Sequence, residues 1–157
     1  MIGNSTGTNK TDFDWLYTFE SESFYYRLVS VELCKVSGVL VGVRASVVKI
    51  IVSSKKSSLA TQLTRFGNVN QTSSVTCQSL SLNYAKDEFI SNATISYSDQ
   101  IDVISLFTNL GQNLTVGVPI STSKNQSLVF EQKNMPLAFQ GSFVLNKEIS
   151  SLGFITV

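Results

Sequence analysis

Histidine is absent from the 157 residues, Pro and Cys occur twice each, Trp once, and charged residues make up only 15% of the chain. Without His, the commonest general base near neutral pH and the commonest zinc ligand are both missing. No Ser-His-Asp set can be assembled, and no Gly-rich phosphate loop or metal-ligand cluster is present. Carboxylates such as Asp99, Asp102 and Glu148 are there, but nothing in the sequence pairs them as glycosidase acids are paired. The expectation is a protein that is not an enzyme and needs neither cofactor nor metal. Charge of one sign is lacking too: 12 Lys and Arg stand against 11 Asp and Glu, a net charge of +1. Lys55-Lys56 is the only adjacent basic pair and reads as a solvated turn. No basic field exists to hold nucleic acid or acidic lipid.

A membrane span is lacking as well. The longest apolar run, residues 36–52, is interrupted by Arg44 and Lys49 and falls short of the roughly 20 residues a helix needs to cross. Its Val content suits two core strands instead. The amino terminus carries no apolar signal segment, so the chain is expected to be intracellular, or else mature or excised from a longer precursor.

A chain of this length forms one domain with one core, residues 1–157, and the polar residues 1–12 read as a flexible or loop-forming arm. Beyond the arm the pattern has a period of two. Phe13, Trp15, Tyr17 and Phe19 alternate; Val29, Val31 and Leu33 lead through a turn at Ser37-Gly38 to Val39, Val41, Val43, Ala45 and Val47. That spacing predicts a hairpin. Residues 59–66 read as a strand or connector, residues 66–74 as a loop, and a strand follows through Cys77 and Leu80. Strands are expected over Ala93 to Tyr97, from Ile101 toward Gly111 with a one-residue slip at Ile104, over Leu137 to Phe143 and over Leu152 to Val157. Asp87-Glu88 marks a strand start. No stretch has a capped helical period, so the fold class is all-β.

Two further features bear on the compartment. The acceptor pattern Asn-x-Ser/Thr occurs at Asn4, Asn9, Asn70, Asn92, Asn113 and Asn125, where chance alone would supply about two or three. The excess favours a secreted or extracellular glycoprotein, with four sites in predicted loops or at strand ends and Asn92 and Asn113 near strand borders. Cys34 and Cys77 either form one disulfide or pack as two buried thiols, and the residues leave both readings open.

The run Ile101-Asp-Val-Ile-Ser-Leu-Phe-Thr-Asn-Leu-Gly111, preceded by Asp87-Glu-Phe-Ile90 and followed by Phe139-Gln-Gly-Ser142 and Leu152-Gly-Phe-Ile-Thr-Val157, resembles the jacalin-related lectins in order and spacing. The likeness spans residues 28–157 and is weak between 53 and 74. It implies a β-prism of three four-stranded Greek-key sheets and a carbohydrate-binding module whose partners are glycans or glycoproteins. It also implies a site at one end of the prism. Gly7 would belong to the Gly-rich amino-terminal loop, Tyr97, Ser98 and Asp99 to a second loop, and Leu145, Asn146 and Glu148 to a loop that in the family reads Gly-x-x-x-Asp. Here Val144 takes the Gly place and Glu148 the Asp place. This departure opens an alternative: a jacalin fold kept as a structural or assembly module that binds other protein chains.

Overall fold

The period-two pattern becomes twelve strands among the described residues of the computed structural model, which describes residues 2–3, 8–11, 23–57, 61–70, 72–144 and 147–156, with backbone alone for 8–11 and 61–66. In chain order they are β1 (Ile2–Gly3), β2 (Thr8–Thr11), β3 (Phe24–Val36), β4 (Val39–Ile51), β5 (Thr61–Gly67) and β6 (Thr76–Ser81). The second half adds β7 (Ile90–Tyr97), β8 (Ile101–Thr108), β9 (Asn113–Gly117), β10 (Lys124–Val129), β11 (Pro136–Val144) and β12 (Glu148–Thr156). The predicted aromatic alternation from Phe13 to Phe19 lies outside the described residues.

Hydrogen bonding groups the strands into three four-stranded sheets, ordered β1-β12-β11-β2, β10-β7-β8-β9 and β5-β4-β3-β6. Each follows one plan: a hairpin of two central strands, a third strand beside the second, and a fourth returning beside the first, which is the Greek-key order. In the first sheet the plan runs across the two ends of the sequence, with β1 and β2 flanking the β11–β12 hairpin. One apolar cluster joins the inner faces: Leu33 and Val43 from β3 and β4, Ile95 and Ile104 from β7 and β8, Phe139 and Leu152 from β11 and β12. Leu33, Val43 and Ile104 are residues that the apolar alternation marked, the others lie in strands that the sequence predicts, and their burial is the main force closing the prism. The expected all-β prism of three Greek-key sheets is the fold observed.

The structure corrects several boundaries. Residues 1–12 are not merely an arm, because β1 pairs with β12, β2 pairs with β11, and Ile2 is buried in the core. Unpaired backbone at both edges of the β11–β12 hairpin recruits these short pieces, a force that side-chain pattern does not reveal, and burial of Ile2 adds to it for β1. The last strand begins at Glu148, four residues before Leu152. Residues 124–129, which the sequence reading left without a strand, form β10; its side chains are mostly exposed, so it carries little alternation. Asn125 therefore sits in a strand and not in a loop.

Residues 68–70 and 72–75 fold over the outside of the third sheet. Val69 and Val75 cover Cys34 and Val41 in a small second core. Cys34 and Cys77 face each other across β3 and β6, and their sulfurs are joined in a disulfide beneath this loop.

At the end of the prism holding the β6–β7 connection, Glu88 is 3% exposed. Its carboxylate accepts hydrogen bonds from the Asn83 backbone N–H (2.8 Å), the Thr108 hydroxyl (2.7 Å) and the Gln112 side-chain amide (2.8 and 2.9 Å). Gln112 also donates to the Ser81 carbonyl at 3.1 Å, so this cluster fastens the end of β6 to the turn between β8 and β9. Burial acts to raise the Glu88 pKa, but the Asn83, Thr108 and Gln112 hydrogen bonds and nearby Lys86 outweigh it and hold the carboxyl below its ordinary value.

Candidate functional site

The one-residue slip in the apolar pattern at Ile104 has a structural cause. Ser96 on β7 pairs with Val103 and Tyr97 pairs with Ile101, so Asp102 is an extra, unpaired residue on β8. It is a β-bulge, a device that re-aims a side chain at the end of a sheet. The bulge lets Ile101 and then Ile104 and Leu106 all reach the core. It also turns Asp102 toward the connections on either side of it. Its carboxylate, in a residue 2% exposed, accepts from the Ser98 hydroxyl at 3.1 Å and from the Ser123 hydroxyl at 2.6 Å. Its carbonyl accepts from the Val118 N–H at 3.1 Å. The β7–β8 turn and the β9–β10 connection are thereby tied to one buried carboxylate.

This close approach needs Gly117. Its φ is +113°, and a Cβ there would land on the Asp102 carbonyl oxygen. Only a glycine serves both demands.

Strands that lead into the segments named from the resemblance pack against one another. Gly3, at the end of β1, lies against the Ser150 carbonyl and the Ser151 Cα, and its missing Cβ would stand 3.1 Å from Ile101 Cδ1. β1, the start of β8 and β12 therefore touch one another. The turn at Ser37-Gly38 reaches Val118, Gly38 lying against the Val118 side chain.

The individual candidates divide. Asp99 is exposed, and Ser98 closes the turn with its N–H donating to the Gln100 carbonyl at 2.9 Å. Tyr97 is no loop residue: it ends β7, and its partly buried ring packs against the core. Glu148 is half-buried at the start of β12, directly opposite Val144, and the turn between them is closed by the Lys147 N–H donating to the Val144 carbonyl at 3.0 Å. Val144 and Glu148, expected in a loop, are thus paired residues of the flanking strands. Gly7, Leu145, Asn146 and Asn4 lie outside the described residues. Asn70, Asn92, Asn113 and Asn125 are exposed, and Asn9 lies in β2.

Asp102 and Ser123 are the members of this end that sequence reasoning missed. The slip at Ile104 was the available signal for the bulge at Asp102; nothing in the sequence announced Ser123. Deeper in the same region, the hydroxyls of Ser142, Ser150 and Ser151 form a buried cluster between β11 and β12, with contacts of 3.0 and 2.6 Å. Among the described residues the one group of metal-donor types is Glu32, Cys34 and Cys77. There the two sulfurs are bonded to each other and offer no thiolates. No helix among the described residues is long and apolar enough to cross a membrane.

No family model matches the sequence. No curated protein matches it either. Solved structures do match. Artocarpin, solved with mannotriose, superposes with a TM-score of 0.66 over 99% of this chain and 93% of its own, at 13% identity. AcmJRL, a mannose-binding jacalin-related lectin from Ananas comosus, gives 0.64 over 99% and 94% at 11% identity. A prostate-specific WGA16 glycoprotein lectin gives 0.60 over 88% and 94% at 15% identity. Likeness at this level of identity establishes architecture, and the chain has the β-prism fold of the jacalin-related lectins.

Proposed function

We propose that the chain is an extracellular carbohydrate-binding module, not an enzyme, with its site formed by the amino-terminal segment, the β7–β8 turn and the β11–β12 turn. The observation that supports this reading is the contact of Gly3 with the buried Ser150 and Ser151 of β12 and with the buried Ile101 at the start of β8, which packs the strands leading into these segments side by side. Asp99 and Glu148 supply carboxylates there, and a carboxylate accepts strong hydrogen bonds from paired sugar hydroxyls. Asp102 supports the turn that carries Asp99, its carboxylate accepting from Ser98 and Ser123. The disulfide and the six sequons favour an oxidising, secretory compartment. A single shallow polar site binds in the millimolar range, about −4 kcal/mol, so useful affinity requires several copies.

The test is a broad glycan array probed with the multimerised protein beside Glu148→Ala and Asp99→Ala variants of unchanged melting temperature. Signal lost in either variant supports the site. Signal retained in both moves the site elsewhere. Tyr97→Ala is a poor control, because removing a ring packed on the core lowers stability as well.

One observation favours a second reading, a prism retained to bind other protein chains. Val144 and Glu148 are paired strand residues. A folded protein with a blank array and a stable, sugar-independent partner in native mass spectrometry would support that alternative.

A further inference from the structure

The outward face of the sheet β10-β7-β8-β9 is free of charge and organised in rungs. One rung runs Asn113, Phe107, Asn92, Val129 across the four strands. The next runs Thr115, Ser105, Thr94, Ser127, with hydroxyl contacts of 2.9 Å between Thr115 and Ser105 and 3.4 Å between Thr94 and Ser127. Outward-facing positions of a strand repeat every second residue. For that reason the sequons Asn92-Ala-Thr94, Asn113-Leu-Thr115 and Asn125-Gln-Ser127 each present both the acceptor Asn and the hydroxyl residue on this one face. The opposite spacing would have buried the Asn side chains in the core, where a glycan could not be accommodated. The same face leaves apolar groups partly open to water: Phe107 is 41% exposed and Val129 73% exposed. Phe107 lies directly between Asn92 and Asn113, one strand from each, at the roughly 5 Å spacing of directly opposed side chains.

We propose that Asn92 and Asn113 carry N-linked glycans and that the first sugar of one or both packs on the Phe107 ring, so that this sheet face is a glycan-covered face. The inference rests on the secretory part of the proposed function. In the reaction the Asn side-chain nitrogen attacks C1 of the first N-acetylglucosamine of a polyisoprenyl-pyrophosphate-linked oligosaccharide. The C1–O bond breaks, the lipid pyrophosphate leaves with the electron pair, and the amide gives up one proton as the C1–N bond forms. Asn92 lies on an interior strand paired on both sides, so transfer precedes folding, and the outward orientation is what allows the modified chain to fold afterwards. Once folded, the apolar face of the sugar ring covers aromatic surface that is otherwise left to water. The third sheet differs on its outer face, where Glu32 pairs with Arg44 and accepts from Ser79, and no sequon lies on its described strands.

The full chain, secreted from eukaryotic cells behind a cleavable signal, is mapped for glycan occupancy by mass spectrometry before and after enzymatic deglycosylation. Occupied Asn92 and Asn113 are expected, each lost in Asn92→Gln or Asn113→Gln. Phe107→Ala should then lower Tm by about 2–4 °C more in the glycosylated protein than in the Asn92→Gln/Asn113→Gln protein. Empty Asn92 and Asn113 in a folded, secreted protein overturn the proposal; occupancy of the exposed Asn70 in that sample shows that the secretory reading survives, and its absence counts against both. Occupied sites with equal Phe107→Ala effects in the two backgrounds overturn the packing on Phe107, and a protein captured on this face in the glycosylated form overturns the glycan cover.

Discussion

Replacing Glu88 should be among the most damaging single changes outside the apolar core. Its carboxylate gathers the Asn83 N–H, the Thr108 hydroxyl and the Gln112 amide within 2.7–2.9 Å. Hydrogen bonds to a charged acceptor contribute about 1.5–3 kcal/mol each. Gln112 and Asn83 are exposed residues whose donors can turn to water, so Glu88→Ala strands chiefly the buried Thr108 hydroxyl, a loss of about 2–3 kcal/mol. Glu88→Gln keeps the shape but turns an amide N–H toward a donor; a loss of about 1–2 kcal/mol is expected. The pH dependence follows from the depressed pKa of the folded state. Stabilisation by the ionised carboxylate is fully present above the unfolded pKa of about 4.3 and is lost as pH falls through the lower, folded value. Urea unfolding of the wild type and Glu88→Gln should therefore diverge at neutral pH and converge in acid. Equal stability at neutral pH, or a gap that stays constant down to full protonation, would refute the account of this corner.

Three other outcomes are expected. Removing both cysteines as Cys34→Ser/Cys77→Ser should cost about 4 kcal/mol by loop entropy, given the sequence separation of 43, read by denaturant unfolding with and without reductant. Gly117→Ala should cost more than about 2 kcal/mol, because a left-handed backbone penalty adds to collision with the Asp102 carbonyl; a variant melting like the wild type would mean that the bulge can relax. Glycan-array signal should fall in Glu148→Ala or Asp99→Ala without a change in melting temperature.

The sequence by itself determined the all-β class, the β3–β4 hairpin, the apolar alternation of β8 and the presence of strands at β7, β11 and β12, because alternation is a local consequence of strand geometry and burial. The order of its strands also carried the resemblance from which the prism followed. The slip at Ile104 was visible as a flaw in the pattern, but only the fold shows that it is a bulge aiming Asp102 at Ser98 and Ser123. β1, β2, β9 and β10 were not legible, since short strands with little alternation form by completing the hydrogen bonds of neighbours already in place. The pairing of Cys34 with Cys77 was left open for the same reason: register between β3 and β6, forty-odd residues apart, is a tertiary matter. The sequons were plain in the sequence. Which side of a sheet they occupy, and that Phe107 stands between two of them, depended on the pairing of β7, β8 and β9, which only the tertiary structure decides.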